Sequence, residues 1–113
     1  MIKRIYDPPA TGDGRRVLVD RLWPRGISRD RARIDEWLKE IAPSDQLRTW
    51  FGHDPARWEE FRKRYREELK THGAILEQLR GEAEQGPVTL LFAAKDTEQN
   101  NAAVVQEIIQ NLI

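Results

Sequence analysis

Val88-Thr-Leu-Leu-Phe-Ala-Ala94 is the most strongly apolar stretch of the chain. Its apolar residues are continuous rather than alternating, the pattern of a central strand covered on both faces. Gly86-Pro87 opens it and the polar turn Lys95-Asp-Thr-Glu-Gln-Asn-Asn101 closes it. Val104, Val105, Ile108, Ile109 and Leu112 then recur at helical spacing. A strand, a polar turn and an amphipathic helix make half of a βαβ unit. This predicts an α/β fold: a small, mostly parallel sheet of about three to four strands covered by helices. With 113 residues, the chain is read as one domain over 1–113.

A second strand is written into Val17-Leu-Val-Asp-Arg-Leu-Trp-Pro-Arg-Gly26. Val17, Leu18 and Val19 read as doubly covered, within a strand expected over Arg15 to Leu22. Before it, Lys3 to Asp7 reads as the first strand, with Ile2, Ile5 and Tyr6 as its apolar members. Pro8-Pro9 ends that strand, because neither residue donates to a ladder. Thr11-Gly-Asp-Gly14 is a turn cluster. The connection is too short for a helical crossover, so the strands either pair as a hairpin or sit at non-adjacent positions. Strand order and oligomeric state stay open at this point.

Between these strands the chain reads as helical. Ser28 is suited to cap a short helix over Arg29 to Ile34, and Asp35 another one carrying Trp37, Leu38 and Ile41. Pro43-Ser44-Asp45 starts a helix with Leu47, Trp50 and Phe51 on one face, stopped by Gly52-His53. Asp54-Pro55 is the clearest helix start, a capping carboxylate followed by proline. Trp58, Phe61, Tyr65 and Leu69 line the face that follows. Glu59 to Lys63 and Glu60 to Arg64 are expected i, i+4 pairs, so Arg62-Lys-Arg-Tyr-Arg66 reads as an internally paired, solvated face. His72-Gly73 ends this helix, and Ile75, Leu76, Leu79 and Ala83 carry the next.

The chain has no cysteine, which excludes disulfides, zinc thiolates and thiol catalysis. No apolar run reaches the length of a membrane span, and Met-Ile-Lys-Arg-Ile-Tyr6 reads straight into a strand rather than a signal peptide. A cytoplasmic location is the simplest expectation. The net charge is zero with 19 basic and 19 acidic residues, but residues 1–34 hold nine of the basic and four of the acidic ones. That surplus hints at an anionic partner, against the plainer account that acidic helices of the same fold neutralise it.

Several segments together resemble the YeaO-like family, a group of short bacterial proteins built on a domain of unknown function. They are Ile-Tyr-Asp-Pro-Pro9, Val17 to Gly26, Asp35-Glu-Trp-Leu-Lys-Glu-Ile-Ala-Pro-Ser44 and Trp50-Phe-Gly-His-Asp-Pro55. Trp58-Glu-Glu-Phe61 and Val88 to Asp96 followed by Asn100-Asn-Ala102 complete them. The resemblance covers nearly the whole chain and implies a compact cytosolic α/β domain. It implies no particular activity. Longer relatives carry a Cys-His-Arg cluster where this chain has Asn100, Asn101 and Ala102, so any chemistry done there by those three side chains is not done here the same way.

Ligands of open α/β sheets bind outside the carboxyl ends of the strands. If the two apolar strands are parallel neighbours, Asp20, Arg21, Trp23 and Arg25 meet Lys95, Asp96, Asn100 and Asn101 at one edge. Arginines suit bidentate grip on a carboxylate or phosphate, and the last helix offers free N–H groups. The competing account pairs Asp20 with Arg21 and puts Trp23 in the core; alternation along a strand also opposes convergence unless Pro24 bends the chain. His53 beside Asp54 is a second candidate, as acid, base or part of a local hydrogen-bond network. No metal or cofactor motif is present: the two histidines are far apart, and Gly12-Asp-Gly14 precedes a strand rather than a helix. The expected partner is a small anionic or polar ligand at the Asp20–Arg25 edge, with or without catalysis. Nucleic-acid binding through Arg15, Arg16, Arg25, Arg29, Arg31 and Arg33 is the weaker alternative. A protein-interaction role through Trp50, Phe51 and Trp58 is the third.

Overall fold

The computed structural model describes residues 1–111. Leu112, expected on the apolar face of the last helix, lies outside them. Strands β1 (Ile2–Arg4), β2 (Arg15–Leu18), β3 (Glu36–Trp37) and β4 (Val88–Phe92) form one sheet in the order β1-β4-β2-β3. Every neighbouring pair is parallel, with Val17 opposite Leu90 and Leu18 opposite Leu91. The first two strands end earlier than their apolar runs suggested.

Both central strands are buried on two faces, which is why their sequences do not alternate. Val17, Val19, Leu90 and Phe92 point into the larger core cluster, with Leu47, Phe51, Phe61, Tyr65, Leu79, Val104 and Val105. Leu18 and Leu91 point the other way, into a smaller cluster with Ile5, Ala32 and the partly buried Trp23 and Trp37. The larger face is covered by α2 (Asp45–Phe51), α3 (Trp58–Leu69), α4 (Gly73–Gln85) and α5 (Asn101–Gln110). The smaller face has only the four-residue α1 (Arg29–Ala32) and loops.

Capping side chains set most helix starts. Ser28 accepts from the Arg31 N–H, Ser44 from the Leu47 N–H and Asn100 from the Ala103 N–H. Asp54 accepts from the Ala56 N–H at 3.0 Å, starting a short 3-10 turn (Pro55–Arg57) that leads into α3. The basic run of α3 is internally paired: Arg64 meets Glu60 at 2.8 Å, while Arg62 and Arg66 both reach Glu107 on α5. The Glu59 carboxylate meets Arg62, at 3.3 Å, rather than the expected Lys63.

Two readings are corrected or decided by long-range pairing. Asp35 does not start a helix, because its N–H donates to the Arg16 carbonyl and its carboxylate accepts from the Arg16 N–H, each at 2.8 Å. The ladder with β2 takes the groups a cap would have used. Trp37 and Leu38 then fall on opposite faces, and only Lys39–Ile41 turns, as a 3-10 segment. The β1–β2 hairpin is likewise excluded, since β4 enters between them. The connection runs back along the sheet and is anchored by Asp13, which is 3% exposed and takes hydrogen bonds from the Ala10 N–H, Lys3 and Arg16. No helix among the described residues is long and apolar enough to cross a membrane.

Candidate functional site

A hollow of about 400 Å³ opens at the carboxyl ends of β2 and β4. One wall is the loop from Asp20 to Arg25 that leaves β2; another is Asn100 and Asn101 at the start of α5. Ala93 and Ala94 follow β4 into it, Phe51 and Phe61 form an apolar floor, and Pro43, Arg48 and His53 close the side toward α2. Because β2 ends at Leu18, Asp20, Arg21 and Trp23 are free of strand alternation and line one space.

Asp20 is the only carboxylate among the described residues lining the hollow. Its Oδ2 accepts from the Ala93 N–H at 3.0 Å and its Oδ1 from the Asn101 amide at 2.9 Å. Asn101 also donates to the Val19 carbonyl at 2.9 Å, so it ties the helix start to the end of β2. Asp20 has no ion-pair partner within 4.0 Å among the described residues, and Arg21 pairs instead with Asp45 at 3.9 Å. Burial pushes the Asp20 carboxyl above the ordinary carboxylate range, opposed by the Asn101 and Ala93 hydrogen bonds and by the charges of Arg48 and His53.

The cations differ in how much they have left to give. Arg21 donates to the carbonyls of Pro43 and Ala42 at 3.2 and 3.3 Å, so part of its guanidinium holds the loop before α2. The Arg25 side chain has no hydrogen-bond or ion-pair partner among the described residues; its carbonyl accepts from the Tyr6 hydroxyl at 2.7 Å. Arg48 is half-exposed and, among the described residues, its side chain meets only Asp45, at 3.4 Å. Trp23 is partly core, donating its indole N–H to the Ile27 carbonyl and standing edge-on to Trp37 at 5.5 Å, with Arg29 over both rings.

His53 belongs to the same hollow rather than to a separate site. It follows Gly52, and both residues are left-handed, with φ of 56° and 53°. This turn aims the exposed imidazole past Phe51, whose ring lies 5.8 Å away. A left-handed conformation costs an L-residue roughly 1–2 kcal/mol, and glycine loses roughly 0.5–1 kcal/mol of that gain to unfolded-state entropy. The variant His53→Gly is therefore expected to unfold within about 1 kcal/mol of the native chain in urea, and a larger loss would mean that the imidazole holds the fold.

Two sequence candidates offer less to a ligand. Asn100 borders the hollow but is buried and used by the fold: it caps α5 and donates to the Asp96 carbonyl at 3.0 Å. Lys95 is exposed and does not line the hollow. Arg48, Tyr6, Leu22 and Phe61 have no place among the residues expected at the site, and Phe51 only in the protein-interaction reading. The signal for Arg48 was its spacing of three from Phe51 on α2, which puts both on adjacent ground. A broader groove of about 710 Å³ along α3 is lined mostly by charges that already have partners, such as Arg62 with Glu59 and Lys70 with Glu67. The six arginines of the nucleic-acid reading make no common free face, since Arg16 is buried on Asp13 and Arg15 pairs with Glu36 and Glu82. No group of three or more potential metal ligands occurs among the described residues.

A family profile described as "Inactive DUF488-N3 subclade" matches residues 1–113. The uncharacterized protein YeaO of Escherichia coli K12 is 44% identical over 110 residues, covering 97% of this chain and 96% of that one. The uncharacterized protein Rv3073c of Mycobacterium tuberculosis H37Rv is 41% identical over 108 residues, covering 96% and 91%. No solved structure matches the chain.

Proposed function

The chain belongs to the inactive DUF488-N3 subclade, and from that premise we propose that it is a binding domain, not a catalyst, whose ligand is a small anion held at the carboxyl ends of β2 and β4. The observation that carries this reading is the charge of the hollow: Arg21, Arg25 and Arg48 line it against the single carboxylate of Asp20. The subclade's description as inactive is what favours binding over catalysis, and Asp20, His53 and Tyr6 in the lining are read as binding groups. Low-dielectric aromatic walls strengthen the field of the arginines toward an entering anion.

Arg25 and Arg48 are the informative residues, because their guanidinium groups do little for the fold. Removing a charge-assisted hydrogen bond costs about 1.5–3 kcal/mol, so each of Arg25→Ala and Arg48→Ala is expected to weaken binding about tenfold or more. Calorimetric titration with inorganic phosphate and with citrate at low salt measures this. Unliganded melting should stay within about 0.5 kcal/mol of the native chain, as for other surface substitutions. Raising the ionic strength should weaken binding, because the charges sit at the mouth. Undiminished affinity of the double variant for both anions would remove the reading.

A further inference from the structure

The hollow has more in it than an anion needs. Resting on the reading above, we infer that its ligand is a zwitterion with an apolar body: a free α-amino acid of large side chain, its ammonium on Asp20 and its carboxylate on Arg25 and Arg48. Asp20 is partly buried at the meeting of β2, β4 and α5, and each of its oxygens accepts one hydrogen bond. A carboxylate has about four acceptor sites, so lone pairs remain for an incoming donor. A carboxylate partly withdrawn from water favours a cation beside it, and no lysine or arginine forms an ion pair with Asp20 within 4.0 Å among the described residues, Arg21 pairing with Asp45 instead. A plain anion would worsen that balance, whereas an ammonium group corrects it.

The arginines stand farther out. Arg25 is exposed and the Arg48 side chain is 51% exposed, so the positive charge sits at the mouth and the negative charge within. An α-amino acid carries both complementary charges on one carbon. Its side chain then has an apolar surface to meet: the Phe51 and Phe61 floor below and Leu22, 62% exposed, as a lip above. Leu22 and Tyr6 are two of the three large hydrophobic residues left exposed among the described residues, and both border this hollow. Small-molecule sites begin near roughly 300 Å³, and about 400 Å³ accommodates one such ligand.

Calorimetric titration of the native chain with L-phenylalanine, 3-phenylpropionate and phenethylamine tests this without any substitution. L-Phenylalanine is expected to bind at least tenfold more tightly than either fragment. In Asp20→Asn the advantage over 3-phenylpropionate should vanish, with the fold checked by circular dichroism and melting; in Arg48→Ala the advantage over phenethylamine should shrink. Equal binding of 3-phenylpropionate and L-phenylalanine to the native chain would overturn the zwitterion and leave the anion reading standing. Binding of phosphate or citrate without L-phenylalanine would do the same. Failure of L-phenylalanine and of every anion alike would end both.

Discussion

Asp13→Asn is expected to destabilise the domain by about 3 kcal/mol, because it strands a buried guanidinium. Arg16 is 4% exposed and donates to the Asp13 carboxylate and, through Nε and Nη2, to the Ala32 carbonyl at 3.1 and 2.8 Å. The same carboxylate takes Lys3 at 3.1 Å and the Ala10 N–H at 3.0 Å, and the Asp13 carbonyl takes the buried Thr89 hydroxyl at 2.7 Å. Asp13 and Arg16 together thus join β1, β2, β4 and α1 at the amino end of the sheet. An asparagine keeps one acceptor oxygen but no charge, and Arg16 cannot shed its proton. At roughly 4 °C per kcal/mol for a chain of this size, the midpoint of melting should fall by about 12 °C.

The pH dependence follows the same knot. The Ala10 N–H hydrogen bond, followed by those of Lys3 and Arg16, holds the Asp13 carboxyl below its ordinary value despite burial. A depressed carboxylate pKa contributes stability that is complete above the unfolded value, about 3.9, and is lost as pH falls through the folded one. The difference between native chain and Asp13→Asn should therefore be constant near neutrality and shrink in acid. Asp96 and Glu107 are also held low, but they are common to both chains and cancel. A difference that persists unchanged at acid pH would show that shape rather than charge holds the knot.

Much of this architecture was legible because local chemistry and long-range packing agreed. Val88 to Phe92 reads as a central strand, and Ser28, Ser44 and Asp54 as helix starts, since each choice needs only neighbouring residues; Asn100, expected as a ligand group, caps α5 instead. What escaped was set by partners distant in sequence. Glu36 and Trp37 satisfy a helical and a strand period equally, and only the β2 ladder decides between them. The position of β1 depends on β4, whose paired residues lie 88 positions later, as Ile2 and Leu90 do. For the hollow, the strand-end residues could be named from topology alone, but Lys95 was included by proximity and turns outward. Arg48 was overlooked because α2 approaches the sheet edge only through tertiary packing. Phe51 and Phe61 fall on apolar helix faces, and Phe51, expected also in an exposed patch with Trp50 and Trp58, is 5% exposed; both rings are core and also floor the hollow.

Gly14→Ala should be the most damaging exchange of a small residue in the chain, costing more than about 3 kcal/mol. Gly14 has φ 64° and ψ −135°, a region closed to side-chain-bearing residues. A Cβ placed there would lie 2.1 Å from the Pro87 carbonyl oxygen and 2.7 Å from the Pro87 Cβ. Neither obstacle is the end of a flexible side chain. The Pro87 carbonyl also accepts from the Arg15 N–H at 3.0 Å, so yielding would open the β2–β4 ladder at its first rung. Two other glycines separate the causes. Gly26 has φ 81° and open space, so Gly26→Ala should cost only the backbone term, about 1–2 kcal/mol. Gly12 has neither a positive φ nor a neighbour within 4 Å, so Gly12→Ala should be neutral or stabilising by up to about 1 kcal/mol. Urea unfolding of the three variants tests that order, and a Gly14→Ala chain no weaker than Gly26→Ala would mean that the contact with Pro87 does not hold the two central strands in register.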